Sequence, residues 1–178
     1  MARDDVRIVV RSGTLDYLLD GLESHRLDVV LSNHVPARDA ATRWNAHTID
    51  RQPVALIAAP GIGNPELSVV ELLSRYPIAV PTRESSMRVE FDALVDRLEL
   101  HPRLLAEVDD MALLRLMARQ ARSLVLVPPI VVADELESGE LHVLANLPGC
   151  FETFSALRVE RQFPNELLRE LFITPSGN

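Results

Sequence analysis

The sequence predicts an α/β fold in which strands alternate with helices around a sheet that is parallel wherever a helix crosses between strands. Three observations carry that prediction. Short apolar runs rich in β-branched residues recur along the chain, among them residues 6–10 (VRIVV), 78–81 (IAVP) and 124–127 (LVLV), and each has the length and composition of a strand. Between them, apolar residues fall at helical spacing, as in Leu15, Leu18, Leu19 and Leu22. Gly, Pro, Ser and Asn gather where one pattern gives way to the next, as turn chemistry requires.

In order, residues 6–32 read as strand, helix, strand. Ser12-Gly13-Thr14 turns the chain, and either hydroxyl is the type that caps the helix after it. Leu27 to Leu31 is the second strand, which makes a right-handed βαβ unit. Residues 33–52 are polar and Pro-interrupted and read as a surface connection pinned by Trp44 and Ile49. Residues 53–59 are a strand that ends in the loop 60–65. Residues 66–75 are a short helix with Leu67, Val70 and Leu72 or Leu73 inward. The strand 78–81 leads into a helix carrying Met87, Phe91, Leu94, Val95 and Leu98. Residues 103–108 are a strand, and Asp109-Asp110 caps a helix with Leu113, Leu114, Met117 and Ala118. The strand 124–127 is closed by Pro128-Pro129. A brief helix over 131–137 stops at Gly139, and 141–144 is a strand. Pro148-Gly149 turns the chain into a last strand over 153–160. Pro164 opens a helix over 165–172, and 174–178 is a frayed end.

Composition narrows the function. The chain has 178 residues, 47% of them hydrophobic, enough for one domain or two small lobes. No apolar run has the length of a membrane span, and the N-terminal residues lack the basic, apolar and small-residue order of an export signal. The lone Cys150 leaves no internal disulfide and no multi-cysteine zinc site. These features predict a cytoplasmic protein without membrane contact. The formal net charge is −8, which argues against nucleic-acid binding by this chain alone. The five histidines have no metal-ligand spacing, Gly61-Ile62-Gly63 lacks the rest of a dinucleotide fingerprint, and no phosphate loop or nucleophile elbow occurs. No cofactor, metal or catalytic residue is expected, and the chain does not read as an enzyme.

In their order and spacing these elements resemble the effector-binding domain of LysR-type transcriptional regulators. The likeness is carried by Leu27-Asp28-Val29-Val30-Leu31, by the strand 78–81 ahead of a Ser-bearing helix start, and by 124–128 followed by a helix. Within the family it is similar to the activator of the sodium/proton antiporter. The residues behind that closer likeness are Pro81, Arg83 and Ser86 ahead of Met87, then Asp109-Asp110 with Ala112-Leu113, residues 121–129 and 154–161, and Pro164. The resemblance covers nearly the whole chain. It implies a bilobal periplasmic-binding-protein-like fold, two Rossmann-like lobes joined by crossing strands near residues 53–56 and 149–154. Lobe one takes residues 1–53 and 152–178, and lobe two takes 54–151. The family's domain begins with a further strand and helix, and its regulators carry a helix-turn-helix. The sequence reads as lacking both, so DNA contact is expected only through a separate domain.

The implied role is to sense a small-molecule or ion effector between the lobes as a homodimer or tetramer. Helices near 14–24 and 86–98 are the candidate dimer faces. Ligands of open α/β sheets bind beyond the carboxyl ends of the strands. The candidates there are Ser12, Thr14 and Asn33 from lobe one, and Arg83, Ser85, Ser86 and Pro128 or Pro129 from lobe two. Hydroxyls and helix N-termini supply donors, and Arg83 can pair a carboxylate bidentately. Ser12, Thr14 and Ser86 are equally the residue types that cap helices, and a cap at a cleft serves both ends. Asp109-Asp110 reads better as a helix cap than as a cation site. A stand-alone solute-binding protein of the same fold is the alternative, and the export signal it needs is not seen.

Overall fold

The computed structural model describes residues 6–160 and 167–168. All of the expected C-terminal helix except Leu167 and Leu168 lies outside them. The elements are α1 (Leu15–Glu23), β1 (Val30–Ser32), β2 (Trp44–Ala58), α2 (Val69–Arg75), β3 (Ile78–Pro81), α3 (Ser86–Arg97), β4 (Leu104–Val108), α4 (Met111–Gln120) and β5 (Leu124–Val127). A 3-10 turn (Pro129–Val132), α5 (Ala133–Ser138) and β6 (His142–Val159) follow. The chain divides into two compact units, one of Met1–Ile49 with Ser155–Asn178 and one of Asp50–Phe154. No helix among the described residues is long and apolar enough to cross a membrane.

The larger unit is built on strands in the order β2-β5-β3-β4. β3 runs parallel to both β4 and β5, and β2 is antiparallel to β5, so the sheet is mixed. Every residue of β3 and β5 is buried, because both faces of the sheet are covered. Ile78, Val80, Leu124, Leu126, Val54 and Leu56 face one core, where Met87, Phe91, Leu94 and Val95 of α3 join Leu72 and Leu73 of α2. Ala79, Val125, Val127, Ala55 and Ile57 face the other, against Leu114 and Ala118 of α4. The period-2 alternation of the strands thus feeds two cores, and continuous apolar runs result.

Local chemistry fixes the helices. Ser68 and Glu71 form a reciprocal capping box at the start of α2. Gly139, in the left-handed region at φ 76, ends α5. Gly63 is also left-handed, and a Cβ there would lie 2.7 Å from Leu144 Cδ1, so the loop before α2 needs glycine for conformation and for room.

In the smaller unit, Leu22 of α1 packs with Val30, Trp44 and Leu157, and Leu15, Leu18 and Leu19 are only partly buried beside them. β1 pairs antiparallel with β6, Val30 opposite Leu157.

Several expectations are corrected. Residues 6–10 form no strand, and Ile8, Val9 and Val10 are exposed. β1 stands at the end of the sheet with β6 as its neighbour, so the strand-forming run joins no ladder among the described residues, and the βαβ unit is not made. β2 begins at Trp44 instead of following a loop to residue 52. Its first half has one partly exposed side after another, which lets polar residues occupy a strand. Trp44 is buried as expected and Ile49 partly so. Pro148 and Gly149 do not turn the chain. They are exposed positions within β6, where Gly149 at φ 84 bends the strand without ending it. Val70 and Leu113 point outward, and Leu98 is the C-cap of α3.

Candidate functional site at the strand ends of the larger unit

Because β3, β4 and β5 are parallel, their carboxyl ends at Pro81, Val108 and Val127 share one edge. Each opens into the start of a helix or 3-10 turn. The path from β3 through α3 to β4 steps one way, and the path through α4 to β5 steps back past β3 to its other side. α3 and α4 therefore lie on opposite faces, and the crevice where the order reverses falls between the ends of β3 and β5. That is where open α/β sheets receive ligands.

The turn after β3 is pinned at both ends. Thr82 N donates to Val108 O at 3.1 Å and Ser85 N donates to Thr82 O at 3.1 Å. Beneath it lies Arg88, 2% exposed. Its Nε donates to Asp92 Oδ1 at 2.7 Å, and its Nη1 donates to Pro81 O at 3.1 Å and to Glu107 Oε2 at 2.9 Å. One guanidinium thus ties α3 to the last residue of β3 and to β4. Burial pushes its pKa down, but the hydrogen bonds it donates to Asp92 and Glu107, with their negative charge, together outweigh burial and hold it above the ordinary arginine value. A buried charge is tolerable only with such partners. Glu84, in the same turn, is held below the usual carboxylate range by its own N–H and then by the Thr82 hydroxyl.

Ser85 stands at the N-cap of α3, but its hydroxyl makes no capping bond. Its Oγ is buried and has no hydrogen-bond partner among the described residues. Ser86 is the first residue of α3 and is engaged within the protein. Arg83 is exposed and lines a groove of about 580 Å³ beside α3 with Arg88, Val89, Asp92, Ala93, Val95 and Asp96. After β5, Pro128 is buried and Pro129, partly buried, opens the 3-10 turn. Neither has an N–H to donate, so they can only shape the crevice and offer carbonyls. Pro128 O already accepts from Val131 N at 3.0 Å.

After β4, Asp110 Oδ1 accepts from Ala112 N at 2.7 Å and Leu113 N at 3.1 Å. It is the helix cap that was expected. No group of three His, Cys, Asp or Glu among the described residues could hold a metal ion.

In the smaller unit, Thr14 Oγ1 caps α1, accepting from Tyr17 N at 3.4 Å. Ser12 is exposed in the stretch before it, and the cap of α1 is Thr14. Asn33 is partly buried just past β1 and is engaged within the protein. The exit from β1 is set by Ser32, whose Oγ donates to His34 O at 2.7 Å and accepts from His34 N at 3.1 Å.

Arg83, Ser85, Ser86, Pro128 and Pro129 therefore lie at the strand-end edge of the larger unit. Sequence reasoning missed Arg88, Asp92 and Glu107. The signal available was the i, i+4 pair Arg88–Asp92, with Arg88 adjoining the inward Met87.

Parallel strands whose carboxyl ends meet hydroxyl-bearing helix starts at an order reversal define a ligand-binding α/β domain. The chain belongs to the LysR substrate binding domain family, whose model matches residues 2–172. The fold is the periplasmic-binding-protein-like fold of that family, and the chain is an effector-binding domain of a LysR-type regulator. No curated protein matches this sequence. Solved structures are similar in fold. The regulatory domain of HypT from Salmonella typhimurium, in its apo form, is 18% identical over 96% of this chain and 83% of that one, with a TM-score of 0.72. CbnR, a LysR family transcriptional regulator, is 16% identical over 88% of this chain and 54% of its own length, at 0.69. The effector binding domain of QuiR in complex with shikimate is 12% identical over 86% of this chain and 72% of that one, at 0.62. The chain thus spans about half of a full-length regulator.

Proposed function

We propose that the chain senses a small polar or anionic effector at the strand-end crevice of the larger unit and passes the binding event to a DNA-binding domain elsewhere in a longer regulator. The observation that carries this is the Ser85 hydroxyl, buried and without a partner, at a helix start between clamped strand ends. A buried hydroxyl left unpaired costs about 1–3 kcal/mol, which a ligand's polar atom would recover. Arg83, free of any partner among the described residues, supplies the cation for a carboxylate, and Ser86, Pro128 and Pro129 complete that side. In the smaller unit, taken by itself, Ser12, Thr14 and Asn33 remain the candidate polar residues.

The same reading makes the domain a non-catalytic, cytoplasmic partner in a homodimer or tetramer that reaches DNA only through a helix-turn-helix. An ion-responsive form, as in the sodium/proton antiporter activator, is supported by Pro81, Arg83, Ser86 and Asp109-Asp110, which carry that closer likeness. Calorimetric titration tests the site, with shikimate as the carboxylate probe and sodium chloride against choline chloride as the ion probe. The expected result is saturable binding that weakens roughly 10-fold or more in Ser85→Ala and Arg83→Ala, the loss of one hydrogen bond to a charged group. Binding of equal strength in both variants would remove the site.

A further inference from the structure

Phe151 of β6 is held from two sides. Its N–H donates to Glu90 Oε2 of α3 at 2.5 Å, and Arg51 Cζ of β2 stands 3.8 Å from the centroid of its ring. Both contacts fall within the larger unit, close to its two ends, since that unit begins at Asp50 and its last residue is Phe154. The strands that carry the chain into and out of the larger unit are thus fastened at one residue. One of the two fasteners comes from the helix that starts at the effector crevice, and Glu90 lies only about 7–8 Å along its axis from Ser85. Glu90 is partly buried, and a carboxylate that accepts a backbone N–H makes a charge-assisted bond, stronger than a neutral one. Next to Phe151, Cys150 is 1% exposed and packs with Met87, Phe91, Leu94 and Val95 of α3, so the polar contact borders an apolar one. Two residues before Phe151, Gly149 is left-handed at φ 84, with nothing within 4 Å of where its Cβ would stand. β6 therefore has a position able to absorb a change of bend beside a fixed one.

We propose that Glu90 is a positioning residue that passes the engagement of α3 by an effector to β6 at Phe151. The inference rests on the effector crevice proposed above. The route is short and made of named contacts. α3 is a single helix of 12 residues, and its hydrogen-bonded backbone moves as a unit. Arg88 fastens it to Pro81 and Glu107, on the side of β3 and β4. A ligand atom that pairs the Ser85 hydroxyl acts on the first turn of that helix. A shift or rotation of the helix changes the Glu90–Phe151 bond, because hydrogen bonds weaken steeply as their angle closes. The Arg51 contact carries a change at the Phe151 ring on to β2. A ligand moves such an equilibrium only by favouring one arrangement of α3 over another. Contiguity by itself is not coupling, so the test reads Phe151 while a ligand binds.

The experiment is backbone NMR of the isotope-labelled full chain, titrated with shikimate, in the parent, Glu90→Leu and Glu90→Gln. Without ligand, the Phe151 amide should exchange with solvent roughly 10-fold faster or more in Glu90→Leu, the loss of one bond to a charged group. Glu90→Gln keeps the shape and an accepting carbonyl, so it should lose less, and it carries the test should the Leu variant fold poorly. With ligand, the Phe151 resonance of the parent should shift along the same saturation curve as those of Arg83 and Ser85. In Glu90→Leu the Arg83 and Ser85 shifts should persist and the Phe151 shift should vanish, and in Glu90→Gln the Phe151 shift should return in part. A bond with a purely structural role would change exchange in the variants and leave Phe151 unmoved by ligand. Saturating shifts at Arg83 and Ser85 with Phe151 unmoved in the parent overturn this inference and leave the effector site standing. A Phe151 shift as large in both variants as in the parent overturns the role of Glu90. No saturable shift at Arg83 and Ser85 removes the site, and the coupling with it.

Discussion

Arg88→Met removes one guanidinium and keeps a stem of similar length, so it isolates the clamp beneath the β3 turn. The loss has two parts. Pro81 O, in a strand whose residues are all buried, loses the donor at 3.1 Å, and a buried carbonyl left unpaired costs about 1–3 kcal/mol. Asp92 and Glu107 lose their cation, but their side chains are 43% and 42% exposed, so water takes over and each contributes only about 0.5–1 kcal/mol. The sum is about 2–5 kcal/mol, moderated by the relief of an arginine that no longer has to leave water. Urea unfolding should show a midpoint lowered to match, and thermal unfolding a fall of about 5–15 °C for a domain of this size. Arg88→Lys should recover part of the loss, because it keeps the charge without the planar fork. A Met variant within about 0.5 kcal/mol of the parent would refute the reasoning, since the Pro81 carbonyl alone exceeds that.

Other outcomes follow from the same geometry. Ser68→Ala breaks the α2 capping box and should cost about 1 kcal/mol in urea unfolding. The Ser68 N–H and then the Ser68 hydroxyl hold Glu71 below its ordinary value of 4.5, so its contribution is fully present above that pH and fades as pH falls through the lower folded value. The gap between parent and Ser68→Ala should therefore narrow between neutral and strongly acidic solution. Phe91→Ala empties a position 1% exposed and should cost about 3–5 kcal/mol, whereas Val89→Ala, two residues away on the exposed side of the helix, should stay within about 0.5 kcal/mol. Gly63→Ala meets both a left-handed φ and Leu144, and about 1–3 kcal/mol of destabilisation is expected.

What could be read from residues alone tracks how each element is covered. β3, β5 and α3 were legible because two-sided burial writes an unbroken apolar run, and one-sided packing writes a helical stripe. The first half of β2 and the middle of β6 were not, because exposed stretches of strand accept His47, Asp50 or Pro148, and such residues look like loop. Residues 6–10 mislead in the opposite sense, since composition records the capacity to pair and not the presence of a partner. At the site, Arg83 and Ser85 were legible as polar residues following a strand, while the capping position expected at Ser86 falls one residue earlier, at Ser85. The unpaired state of the Ser85 hydroxyl was not, because it depends on how the β3 turn is drawn against Val108. Arg88 was hidden for a related reason: its acceptors at Pro81 and Glu107 lie on two different strands, 7 and 19 residues away, outside the helical spacing that a sequence pattern shows.

The most direct measurement is backbone NMR of isotope-labelled protein during titration with shikimate. Amide shifts that saturate together at Thr82, Arg83, Ser85 and Ser86, and at Ile130 just past the Pro128-Pro129 pair, are the expected result. Saturable shifts confined to other segments, with the β3 turn unmoved at full occupancy, would contradict a ligand site at these strand ends.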